Sequence, residues 1–91
     1  MYDKLFDAIL GLKDREECAA FFDDLCTIKE LQDMSQRFDV ALLLGEGNNY
    51  ADISALTGAS SATISRVNRC LNYGRGGYRS VIDKMKGEGD E

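Results

Sequence analysis

A chain of 91 residues with 44% apolar and 9% aromatic content supports one domain with a modest core, near the size at which a second copy helps to bury apolar surface. No apolar run approaches the roughly 20 residues that span a bilayer, and the opening residues mix Asp and Lys where a signal peptide shows a basic start and an apolar run, so the chain reads as cytosolic. The formal charge of −5 argues against uniform binding to a polyanion, yet residues 49–79 carry four basic side chains and one acidic, against five and eleven in residues 1–48 and two and four in residues 80–91; a partner meets that local field.

Proline is absent, so glycines and capping residues must punctuate the elements. Residues 2–10 follow a short helical pattern with Leu5, Phe6, Ile9 and Leu10 on one side. Asp14 with Glu17 reads as an N-cap and its third-position acid, opening a helix that carries Cys18, Phe21, Phe22 and Leu25. Thr27 with Glu30 repeats the signature. The helix it opens runs to about Leu44, with Ile28, Leu31, Met34, Phe38, Ala41 and Leu42 inward, and Gly45 and Gly47 end it.

The elements then shorten. Asn49 with Asp52 caps the stretch YADISALT, which is expected to bury Ile53 and Leu56, and Gly58 supplies a backbone position that can turn sharply. Ser60 caps a helix from Ser61 to about Asn72 with Ile64, Val67 and Leu71 facing inward. Gly74, Gly76 and Gly77 break it. A last short helix carries Val81, Ile82 and Met85, and the terminal GEGDE is expected to fray. The predicted fold is all-α, a single domain over residues 1–91 with five or six helices.

Two helices joined by a short glycine-containing turn fit a helix-turn-helix, here over about residues 49–73. With Ile64, Val67 and Leu71 turned inward, the open face of the second helix carries Ser61, Ala62, Ser65, Arg66 and Arg69. Small side chains at its N-terminal end admit close entry into a DNA groove, and the arginines reach guanine edges or phosphates. Ser60 and Ser61, at the helix N-terminus, suit a phosphate that positions the helix. Arg75, beyond the helix among glycines, suits phosphate contact as well. Arg75 and Arg79 could equally neutralise the acidic body or pair across a dimer. Helical corners also occur in proteins that never touch DNA, and solvated surface is then the plain reading of Ser61, Ala62 and Ser65; the nearby cations weigh against it.

The segment TGASSATISR followed by VNRCLNYGRGGYR, residues 57–79, resembles the bacterial Trp repressor superfamily and, within it, the small YerC/YecD family. TIKELQDMSQR extends the likeness back to Thr27. The resemblance implies an all-helical homodimer with intertwined long helices and helix-turn-helix units at the outer ends. It also carries over an effector pocket: Thr27 and Thr63 match threonines of that pocket, and Arg37 and Arg66 match the two arginines that hold a carboxylate. Val67 stands where the family has glycine and Cys70 where it has serine. A branched side chain takes room an indole needs and a hydroxyl is lost, which argues against tryptophan and leaves either another small carboxylate effector or none. Arg37 also lies four residues after Asp33, a spacing that suits a helical ion pair worth about 0.3–0.5 kcal/mol.

The expectation that results is a dimeric, sequence-specific transcriptional regulator, a repressor by resemblance, acting on a two-fold symmetric double-stranded operator. The alternative is a helical scaffold or adaptor that keeps the fold without binding DNA. An enzyme is not expected: there is no histidine, and Cys18, Cys26 and Cys70 form no CxxC motif and lack a histidine base. The same absences leave no metal site or cofactor to expect. The cysteines read as buried free thiols of a reducing compartment.

Overall fold

The computed structural model describes residues 1–89. Six α-helices make up the described chain: α1 (Asp3–Leu10), α2 (Arg15–Leu25), α3 (Ile28–Gly45), α4 (Tyr50–Thr57), α5 (Ser61–Tyr73) and α6 (Gly77–Gly89). The fold is all-α, as the periodicity predicts. Each expected cap is formed. Asp14 Oδ1 accepts from the Glu17 amide at 2.8 Å, and Thr27 and Glu30 close a reciprocal capping box, with the Thr27 amide donating to Glu30 Oε1 at 2.8 Å and the Glu30 amide donating to Thr27 Oγ1 at 3.1 Å. α6 continues through Gly89; Asp90 and Glu91, the end of the tail expected to fray, lie outside the described residues.

The chain divides into two compact units, Met1–Gln32 and Asp33–Glu91. In the first no side chain is fully buried. Leu5, Ile9, Cys18, Phe21 and Phe22 are half-buried, and the Phe21 and Phe22 rings meet edge to face at 5.5 Å. Phe6, Leu10 and Leu25 of the apolar sets are exposed, and so is Ile28, expected inward. The reason is geometric. α1 and α2 are short and pack little against each other, so an apolar stripe on either finds no second wall within the unit.

The second unit closes a core of its own. Val40 and Ala41 of α3, Ile53 of α4, Ala59, Ile64, Val67 and Leu71 around and along α5, and Ile82 of α6 form one buried cluster. α5 is its centre, packed against both α4 and α6. Burial of each Val, Leu or Ile there contributes about 1.5–3 kcal/mol. Gln36 Nε2 donates to the Thr57 carbonyl at 3.1 Å and ties α3 to the end of α4, while Phe38 and Tyr78 stack with centroids 6.5 Å apart. One inward expectation fails here: Leu56 is 69% exposed, because the position facing the core on α4 is taken by Ile53. On α6 Ile82 takes the core position, and Val81 and Met85 are 46% and 49% exposed. Met34 is likewise partly exposed.

Candidate nucleic-acid interface

Helix α4 starts at Asn49, whose Oδ1 accepts from the Asp52 amide at 2.9 Å, and stops at Gly58, which adopts the left-handed conformation at φ 75° and donates its amide to the Ser54 carbonyl at 2.8 Å. A side chain at Gly58 would have room, its nearest neighbour being Gln36 Nε2 at 4.0 Å; the positive φ is what calls for glycine. Ala59, 2% exposed, plugs into the core, and Ser60 begins α5 at once. The connection is three residues long, the compact corner of a helix-turn-helix.

Ser60 is already at work within the chain. Its Oγ accepts from the Thr63 amide and donates to Thr63 Oγ1, both at 3.2 Å. Its primary role is therefore the N-cap of α5. Along α5, Ile64, Val67 and Leu71 point into the core, and Ser61, Ala62, Ser65, Arg66 and Arg69 are all exposed. These five share the outer side of one rigid helix. Arg66, Arg69 and Arg75 make no hydrogen bond or ion pair among the described residues, so three cations are presented to solvent without an internal counter-charge.

Arg79 differs. Its Nη2 donates to Asn72 Oδ1 at 3.1 Å, and Asn72 Nδ2 donates in turn to Asn68 Oδ1 at 2.9 Å and to the Asn68 carbonyl at 3.0 Å. This chain fastens the start of α6 to the last two turns of α5. Sequence reasoning passes over Asn68 and Asn72; their i, i+4 spacing on α5 is the only signal for them. α5 is closed by Gly74, where a Cβ would run into the Cys70 carbonyl oxygen, so a side chain there requires the backbone to shift.

The effector residues carried over by resemblance are distributed as follows. Thr27 belongs to the first unit, and its hydroxyl is held by the Glu30 amide. In the second unit Arg37 is half-buried on α3, Thr63 is half-buried behind the Ser60 cap, and Arg66 is exposed. A separate apolar groove of about 600 Å³ is lined by Phe38, Cys70, Gly74, Arg75, Gly77, Tyr78 and Val81. It includes none of Arg37, Thr63 and Arg66. Cys70, expected to be buried, is exposed on this groove, and Cys18 and Cys26 are half-buried free thiols. Among the described residues no group of three or more His, Cys, Asp or Glu side chains could hold a metal ion. No described helix is long and apolar enough to cross a membrane.

The architecture is that of an all-helical protein built around a helix-turn-helix. The sequence pattern of the Trp repressor protein family matches residues 1–86, and the chain belongs to that family, one of DNA-binding regulators and not of enzymes. The narrower likeness holds too: the uncharacterized protein YerC of Bacillus subtilis (strain 168) is 60% identical over 84 residues, spanning 92% of this chain and 81% of YerC. Two crystal structures superpose with a TM-score of 0.90. One is of a TrpR-like protein from Eubacterium eligens ATCC 27750, 55% identical and covering 92% of this chain and 87% of that one. The other is of a Staphylococcus aureus chain whose name also ties it to the Trp repressor, 54% identical and covering 92% and 84%.

Proposed function

We propose that the protein is a homodimeric repressor that occupies a two-fold symmetric operator, each copy placing α5 in the major groove of one half-site, with the half-sites about one helical turn apart. The observation that carries this reading is the outer face of α5: Ser61, Ala62 and Ser65 leave room for close approach, and Arg66 and Arg69 stand beside them without internal partners. In this reading Arg66 contacts guanine O6 and N7. Arg75 serves as a phosphate contact. Dimerisation draws on the apolar side chains that one chain leaves in water, among them Leu10 and Ile28 at 82% and 77% exposure. Val67 and Cys70 favour operator binding without tryptophan; a small carboxylate held by Arg37 and Arg66 is the form an effector would take.

The test begins with a target selected from genomic or random DNA, followed by binding to that target and to a one-base mismatch across a salt series. Arg66→Ala is expected to lose selectivity equivalent to about 1–3 kcal/mol. Arg75→Ala is expected to weaken matched and mismatched DNA alike and to lower the salt slope by about one unit for each of the two sites lost per dimer. If the parent protein prefers no sequence over scrambled DNA, the repressor reading fails and the scaffold alternative takes its place.

A further inference from the structure

We propose that the face of α3 bearing Asp39, Leu42, Leu43 and Glu46, completed by Leu56 of α4, is a docking groove for a segment of another protein that presents an apolar side chain between two cationic ones. The four α3 positions stand at i, i+3, i+4 and i+7, a single helical face. The Glu46 amide still donates to the Leu42 carbonyl at 3.1 Å, so the last of them keeps helical register just beyond the assigned end of α3. With Leu56 and Thr57 they line a groove of about 300 Å³, at the small end of the range for ligand pockets. It has room for one anchoring side chain and not for a whole helix.

Leu56 is the anomaly that draws attention to this place. It is 69% exposed although it lies one turn beyond the fully buried Ile53. The wall beside it is rigid. Thr57 Oγ1 donates to the Ile53 carbonyl at 2.7 Å and accepts from the Ala59 amide at 3.1 Å, and the Thr57 carbonyl takes the Gln36 side chain. Leu42 and Leu43 are half-buried, their inner parts packed on the core.

Charge identifies the occupant. Asp39 and Glu46 are exposed, their side chains have no hydrogen bond or ion pair among the described residues, and they flank the leucines two helical turns apart, about 10 Å along the axis. An apolar floor between two uncompensated carboxylates selects an apolar anchor flanked by lysine or arginine, and like charges at the same positions are rejected. A second copy meeting this face with its own equivalent would bring four carboxylates together, which opposes a symmetric contact through it. The proposal is independent of whether α5 reads DNA.

The test uses the full chain and a labelled synthetic peptide with a central leucine and a lysine two residues to either side. Two control peptides replace the lysines by glutamate or the leucine by serine. Fluorescence anisotropy is expected to show saturable sub-millimolar binding of the lysine peptide alone, with shifts of the Leu43 and Leu56 methyl resonances. Leu56→Glu, at an exposed position, is expected to weaken it about tenfold or more, while leaving helical content, sedimentation and DNA binding unchanged. Glu46→Lys is expected to weaken the lysine peptide and improve the glutamate one. Absence of saturation, equal binding of the glutamate peptide, or indifference to both substitutions overturns the proposal. Loss of dimer mass in Leu56→Glu also overturns it and assigns the groove to a second copy.

Discussion

Asp14 and Thr27 start helices in the first unit just as Asn49 and Ser60 do in the second, yet Ile53 and Ile64 are wholly buried behind their caps while Leu10 and Ile28 stand 82% and 77% exposed. Residues 1–32 carry eight acidic and four basic side chains and no fully buried residue. Residues 33–91 contain the whole buried core and all four arginines of the 49–79 stretch. Capping satisfies backbone groups within four residues and works on any helix; burial needs a neighbouring wall, which only the second unit supplies to itself. The helix-turn-helix is therefore mounted on a self-sufficient core, whereas the acidic segment leaves much of its apolar surface exposed.

The strongest way to break that contrast is to remove one side chain from each unit. Ile53→Ala is expected to cost about 2–5 kcal/mol in urea unfolding, because the cavity left among Val40, Ile64 and Val67 cannot fully collapse. Leu10→Ala, compared with the parent at a dilution where sedimentation gives the mass of one chain, is expected to cost less than about 0.5 kcal/mol. A large loss there would mean that the first unit buries Leu10 unaided.

Gly74→Ala comes next, at about 1–3 kcal/mol, since the new methyl must displace the Cys70 carbonyl or undo the last turn of α5. Thermal unfolding of the variant measures it, and a neutral result would show that the end of α5 is free to relax. Ser60→Ala is expected to cost about 1 kcal/mol through the lost cap on the Thr63 amide. Its DNA affinity, measured below the unfolding transition, is expected to fall less than that of Arg66→Ala; an equal or larger fall would make Ser60 a DNA contact as well as a cap.

The smallest effect lies in the first unit. The Thr27 amide, and then the Thr27 side chain, hold the Glu30 carboxyl below its ordinary value of 4.5. A carboxyl lowered in the folded state adds stability above the unfolded value and loses it as the pH falls through the folded one. Melting temperatures of the parent and Glu30→Gln, which keeps an acceptor but does not titrate, are expected to converge as the pH is taken from 6 to 3. A constant gap would detach the box from the ionisation of Glu30.

What the sequence determined by itself is what depends on near neighbours along the chain. The caps at Asp14, Thr27, Asn49 and Ser60, the left-handed Gly58, the order of the helices and the buried triad Ile64, Val67 and Leu71 all follow from contacts within a turn or two, and the structure forms each of them. The open face of α5 was legible for the same reason, as the remainder once the triad is turned inward. Tertiary structure alone decided which of several equivalent apolar residues found a wall. Periodicity places Leu56 and Ile53 one turn apart with equal claim to the core, and only the position of α3 and α5 buries one and leaves the other in solvent. It decided too that Arg79 binds back to Asn72 while Arg66, Arg69 and Arg75 have no partner among the described residues, because the reach of a guanidinium to a side chain seven residues away depends on the turn at Gly74, Gly76 and Gly77 and not on helical spacing.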